Sequence, residues 1–230
     1  MTLLCIEFLI ILFKKSGIQN NTLIKVSTVT DQQDIKREKI LEAAYQQFLH
    51  YGYSKTTMNE IAGALSMSKA LLYYYFPDKS QLYIAVTRKL SEEYLQLVKE
   101  KISITKDLKE AFVAQIDVNH NFILSNYNFL DYIRVNEQNL PDTIWDIVEQ
   151  IRQAEIELLT NAIRLEEEKG TIGRIENAAE VVGLLLDALH GVHVGTMGYK
   201  KTTFPKKEHL DEIHQKRLML VDIFVRGLRH

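Results

Sequence analysis

The stretch Thr57–Lys79, TMNEIAGALSMSKALLYYYFPDK, decides how the rest of the chain is read. It divides into two short helices joined by a tight turn and closed by a proline. Thr57 is placed to cap the first helix, and Glu60 follows at the spacing of a capping box. Met58, Ile61, Ala62 and Leu65 recur at helical spacing and form one apolar face. Ser66 and Met67 supply the turn, and Ser68 suits the N-cap of the second helix. In that helix Leu72 and Phe76 point inward, whereas Lys69, Ala70 and Tyr73 share the opposite face. Pro77 cannot continue the helix, and Asp78 can cap the next one. A cation, a small residue and a phenol on the open face suit a DNA major groove.

Outward from this motif, Ile35 to Tyr51 reads as a helix with an inner stripe of Ile40, Leu41, Ala44 and Phe48, stopped by Gly52. After the motif a long helix runs from Asp78 to about Lys101, its core face made by Leu82, Ala85, Val86, Leu90, Leu97 and Val98. The block from Lys36 to about Val86 resembles the DNA-binding domain of TetR/AcrR-type transcriptional repressors. The matching residues are Ile40, Ala44, Phe48 and Gly52, then Thr56-Thr57, Ile61-Ala62, Met67-Ser68, Leu72-Tyr73, Tyr75-Phe76 and Lys79. Glycine is usual in that family where Ser66 stands. The resemblance implies an all-α fold, with an N-terminal three-helix helix-turn-helix DNA-binding domain and a C-terminal helical ligand-binding and dimerisation domain. It divides the chain into a poorly ordered extension (1–34), the DNA-binding domain (35–80) and the regulatory domain (81–230).

The resemblance also implies roles. Thr57 heads the first helix of the motif, where a hydroxyl and backbone N–H groups can hold a phosphate. Ser68, Lys69 and Ala70 open the recognition helix. Lysine can donate to guanine and alanine can touch a thymine methyl. Tyr73 and Tyr75 match phosphate-gripping positions, and Lys79 matches a phosphate contact after the recognition helix. Tyr74 reads instead as an edge of the core.

Composition sets the bounds. The chain has 230 residues, 46% of them hydrophobic, with three prolines and one cysteine. The alternation of strands is missing. A lone Cys5 permits no internal disulfide and fits a reducing cytoplasm. The formal net charge of −2 is not that of a non-specific nucleic-acid coat. Within 31–80, the cations Lys36, Arg37, Lys39, Lys55, Lys69 and Lys79 equal in number Asp31, Asp34, Glu38, Glu42, Glu60 and Asp78. DNA binding must therefore rest on placed residues, not on bulk charge. The apolar run Leu3–Phe13 is too short for a membrane span and lacks the preceding charge of a signal peptide. It reads as a dispensable extension, with interfacial anchoring or an extra packed helix as the other readings.

The C-terminal part reads as helices over Lys106–Ser125, Tyr127–Asn139, Pro141–Lys169, Glu176–Met197 and one begun by Pro205. Gly183, Gly191 and Gly195 fall on one stripe with Asp187, which suits close approach of a partner helix. In the last helix Leu210, Ile213, Leu220, Val221, Phe224 and Leu228 make one stripe. In the resembled family the last two helices of each subunit form a four-helix dimer interface, here about 176–229. The family's apolar cavity would be lined here by Phe112, Ile116, His120, Phe129, Tyr132, Trp145 and His190, with Phe122 and Ile133 as further candidates. His190 and His193 have chelate spacing but no evident third ligand, so no metal and no cofactor is expected. No phosphate-binding glycine loop or catalytic ordering is evident.

These readings point to a cytoplasmic homodimeric repressor, released from a palindromic operator by a small, largely apolar inducer. The alternative is a DNA-binding adaptor whose C-terminal half binds a protein and no small molecule.

Overall fold

A computed structural model describes residues 30–136, 139–200 and 207–228. Within them lie eight helices and no strand: α1 (Thr30–Lys55), α2 (Met58–Ala64), α3 (Lys69–Tyr75), α4 (Lys79–Ser103), α5 (Leu108–Val135), α6 (Asp142–Glu168), α7 (Ala178–Lys200) and α8 (Lys207–Gly227). The apolar run Leu3–Phe13 and Pro205 lie outside the described residues.

The helix-turn-helix unit is held by the residues its pattern singled out. Ile40, Leu41, Ala44 and Phe48 of α1, Met58, Ile61 and Ala62 of α2, and Leu72 and Phe76 around α3 are all buried together. Burying the larger of these side chains, all but the two alanines, stabilises by about 1.5–3 kcal/mol each. Gly52 interrupts α1 with φ 75° and ψ 162°, a conformation that side chains resist. The chain regains a helical turn beyond it, so α1 ends at Lys55 and not at Tyr51. Thr56 closes this corner: it is fully buried, and its Oγ1 donates to the carbonyls of Gln47 (3.1 Å) and Gly52 (2.9 Å).

Two expected helices, Lys106–Ser125 and Tyr127–Asn139, are one helix, α5, with a break at Asn126 (φ −121°, ψ 17°). The break survives because the Asn126 side chain serves as a joint. Its Nδ2 donates to the Phe122 carbonyl (3.0 Å), and its Oδ1 accepts from Tyr45 Oη of α1 (2.8 Å). From α4, Tyr83 Oη donates to the Phe129 carbonyl (2.7 Å). Tyr53 stacks on Tyr132 at 3.8 Å between ring centres. The second half of α5 is thus gripped by both α1 and α4.

The far end of the body is a second apolar cluster. It includes Leu108 and Phe112 of α5, Leu159 and Ile163 of α6, Val182 and Leu185 of α7, and Val221 and Val225 of α8. The expected α8 stripe is shifted. Leu210, Ile213, Arg217, Val221 and Val225 are buried, while Leu220 and Phe224 are half-buried. Ala178–Met197 is long and apolar enough to pass for a membrane span by composition. Part of that character is core packing through Val182, Leu185, Leu186 and Leu189, while 44% of the apolar window is buried.

Candidate nucleic-acid interface and regulatory core

The motif's ends are capped as its sequence dictates. Glu60 Oε2 accepts from both the backbone N–H and the hydroxyl of Thr57 (2.8 Å each), and Thr57 Oγ1 accepts from the Glu60 N–H (3.3 Å). These bonds hold the Glu60 carboxyl below its ordinary range. Ser68 Oγ accepts from the Leu71 N–H (3.3 Å) and starts α3. Leu72 is buried beneath α3, and Lys69, Ala70 and Tyr73 are exposed on its outer face, as the spacing requires. A short helix is thereby presented with a cation, a methyl and a phenol toward solvent.

Three site residues behave differently from expectation. Tyr74 is not a core edge: at 71% exposure it is the most open aromatic of the helix. Tyr75, by contrast, is half-buried and packs on the core, with its ring edge-on to Tyr74 (5.4 Å). The reason is helical phase, since Tyr75 follows Leu72 by three and shares its side. Lys79 is turned inward. Its Nζ donates to the carbonyls of Tyr53 (2.8 Å) and Thr56 (2.9 Å) and lies over the Tyr53 ring (4.3 Å). It thereby satisfies carbonyls left open at the end of α1, and burial lowers its pKa. In this state it is a clasp between α1 and α4, not an open phosphate cation. Lys36 and Arg37 remain exposed at the start of α1, with Arg37 over the Phe76 ring (5.4 Å).

The seven expected ligand-lining residues do not converge. Phe129 and Tyr132 sit at the joint with α1 and α4, and Phe112 packs edge-on to Phe224 at the other end. Positions 116 and 132 of one helix are about 24 Å apart at 1.5 Å per residue, which spacing arguments around a shared cavity overlooked. Trp145 is half-buried against the first core. His120 stacks on His214 at 4.2 Å between α5 and α8. Ile116 and His190 line one small pocket of about 20 Å³ together with Gln115, Asn119 and Arg217.

Around that pocket lies a polar core that the sequence reading missed. Glu155 of α6 is fully buried. Its Oε1 accepts from Tyr94 Oη of α4 and from Gln115 Nε2 of α5 (2.8 Å). Burial raises its pKa to about 7 against the pull of those hydrogen bonds. Arg217 of α8 donates from Nε to the Leu189 carbonyl (3.0 Å) and from Nη1 to Asn119 Oδ1 (2.8 Å). The signal was present: Glu155 falls four residues from both Ile151 and Leu159, and Arg217 four from both Ile213 and Val221. Each is a charge on an apolar stripe. No group of His, Cys, Asp or Glu among the described residues is arranged to hold a metal.

An N-terminal helix-turn-helix with an open recognition helix, set on an all-helical body, defines a DNA-binding regulator class. Residues 40–86 match the family described as bacterial regulatory proteins, tetR family. It is 33% identical over 90 residues to the transcriptional regulator RutR of Escherichia coli K12, covering 38% of this chain and 42% of RutR. It is 40% identical over 47 residues to an acrEF/envCD operon repressor of the same strain, covering 20% of this chain and 21% of that protein. The matched stretches thus span less than half of these curated relatives. A solved transcriptional regulator from Cytophaga hutchinsonii shares the fold with a TM-score of 0.76 and 25% identity, covering 85% of this chain and 99% of that one.

Proposed function

We propose that the chain is a homodimeric transcriptional repressor that places two copies of α3 in successive major grooves of a palindromic operator. A small molecule entering the regulatory body would favour a dimer geometry that fits the operator poorly. The observation that carries this reading is the face of α3, where Lys69, Ala70 and Tyr73 are exposed over a buried Leu72. A dimer is supported by the outer faces of α7 and α8, which expose Leu184 (70%), Met219 (66%) and Ile223 (63%). A Cβ on Gly191 or Gly195 would meet nothing within 4 Å among the described residues, whereas Gly183 of the same stripe faces Arg152 and Ile156 of α6 at 3.7 Å. A dimer's two-fold symmetry matches a palindrome. Operator and inducer must then weaken each other's binding by the same factor.

Fluorescence anisotropy with DNA from upstream of the chain's own gene tests the reading. Specific, salt-dependent binding is expected. Tyr73→Phe should weaken it by roughly tenfold on every bound sequence, as loss of one phosphate bond predicts. Lys69→Ala should relax preference at one or two base pairs. Equal affinity for all sequences would sink the proposal.

A second reading has one observation in its favour. The pocket of about 20 Å³ has room for about one water. So small a pocket beside Arg217 also suits a DNA-binding adaptor whose C-terminal half takes a protein partner, while a larger cleft of about 220 Å³ lies elsewhere, between Ile102, Leu108, Leu158 and Leu165. Co-crystallisation or a thermal-shift screen that finds no small ligand, together with operator binding, would favour it.

A further inference from the structure

We propose that the apolar run Leu3–Phe13 docks into a cleft of its own chain, at the end of the body where the last turn of α4 and the start of α5 meet α6. The proposal goes beyond the function argued above and holds whether or not the body takes a small molecule.

The cleft measures about 220 Å³ and is floored by Ile102, Leu108, Ala111, Leu158, Ala162 and Leu165. Its edge leaves apolar surface in water. Ile104, the C-cap of α4, is at 75% the most exposed large apolar residue described, and Leu165 is exposed as well. A volume below the roughly 300–1,000 Å³ of sites that enclose a small ligand suits a few inserted side chains instead.

Charge narrows the choice of occupant. Asp107 and Glu166, the carboxylates beside the cleft, are already engaged. Asp107 accepts from the Glu110 N–H (2.9 Å), and Glu166 accepts from Lys169 Nζ (2.6 Å) and Thr171 Oγ1 (2.8 Å). Lys99 and Lys106 line the same cleft, and neither has an ion pair among the described residues. An apolar floor beside two unpaired cations fits an apolar segment that carries a carboxylate. Leu3–Phe13 has that composition, since Glu7 is its one charge. Docking would bring Glu7 to the two lysines and remove both apolar surfaces from water.

The run can reach the cleft. Glu38 of α1 pairs with Lys89 of α4. From Lys89 to Ile102 is about 20 Å along α4, and from Glu38 back to Thr30 about 12 Å along α1, at 1.5 Å per residue. Packed helix axes add about 10 Å. Residues 14–29 span up to about 53 Å when extended, which exceeds the whole path. A tether of this order presents the run at roughly millimolar effective concentration, so a weak contact suffices.

Cys5 is the only cysteine and lies within the run, so one added thiol reports where the run sits. The full chain is treated with a short bismaleimide, and each coupling rate is normalised to the reactivity of its thiols toward N-ethylmaleimide. Leu165→Cys places a thiol at the cleft. Glu92→Cys places one on exposed α4, nearer the start of α1, where an undirected tether would meet it more often. Cys5 should couple within one chain about tenfold faster to the cleft thiol than to the other, as docking at a preferred site requires. Phe8→Asp with Ile11→Asp, which leaves the body untouched, should bring the two rates together. Equal rates in the otherwise unchanged chain overturn the proposal. So does a cleft preference that survives the aspartates, because the apolar run would then not be what docks. Coupling between two chains, seen as doubled mass on a denaturing gel, gives the cleft to a second copy and overturns docking within the chain. Flotation of the wild type with phosphatidylglycerol vesicles, with loss of the cleft coupling, gives the run to a lipid surface and overturns it too.

Discussion

Ser66, at φ 50°, is the one non-glycine residue with positive φ among those described. It occupies the turn of the helix-turn-helix, at the position where the resembled family usually has glycine. The left-handed region costs an L-residue roughly 1–2 kcal/mol, because its Cβ crowds the following carbonyl. Part of that cost returns when glycine adds freedom to the unfolded chain. Ser66→Gly should therefore stabilise the protein by about 0.5–1 kcal/mol, read as a higher urea midpoint with an unchanged slope. Operator affinity should stay the same, because the turn already has the geometry that glycine would adopt. Lys79 teaches a related lesson: a side chain that looks like a free phosphate cation in one dimension is a clasp on Tyr53 and Thr56 in three.

Among the elements, α5 and α8 are cross-braced by two His–Asp pairs. His120 Nε2 lies 3.2 Å from Asp211 Oδ1, and His214 Nε2 lies 3.2 Å from Asp117 Oδ1, with the two rings stacked. Burial holds both imidazoles below their ordinary pKa; His120 is lowered further by His214, and His214 by Arg217, while the aspartates pull the other way. The sign follows directly. A base whose folded pKa is depressed binds fewer protons folded than unfolded, so stability is present above the unfolded value and lost as pH falls through it. Between pH 7 and pH 5 the wild type should lose stability on this account, and His120→Gln should remove roughly half of that loss. Glu155 acts oppositely, since its raised pKa stabilises the fold as pH falls. The quantity to compare is therefore the difference between wild-type and variant urea midpoints at each pH. Equal acid limbs for the two would show that the brace does not titrate.

For the molecule as a whole, the decisive surface is the one left open by α7 and α8. Leu184 and Ile223 are among the most exposed large apolar residues described. The dimer proposed above would cover both side chains. Leu184→Glu with Ile223→Glu should convert a dimer to a monomer in light scattering after size exclusion. Operator affinity should fall by at least about 100-fold, because two half-sites would no longer be held by one particle. The single α3 face and the capping bonds should remain, so weak half-site binding should persist. A doubly substituted protein that stays dimeric would move the interface elsewhere.

The sequence by itself determined the all-helical class, the two caps at Thr57 and Ser68, and the open face of α3. These follow from local rules, because a cap needs one side chain within a turn and a helix face repeats every few residues. Tertiary structure alone decided that α5 is one helix bent at Asn126 and that Lys79 faces inward. It also scattered the expected cavity residues along the body. Those outcomes depend on partners far away in the chain, such as Tyr45 for Asn126 and Tyr53 for Lys79. Glu155 and Arg217 lie between the two. Their misplaced charges were legible on apolar stripes, but only packing brought Tyr94 and Gln115 to one and Asn119 to the other.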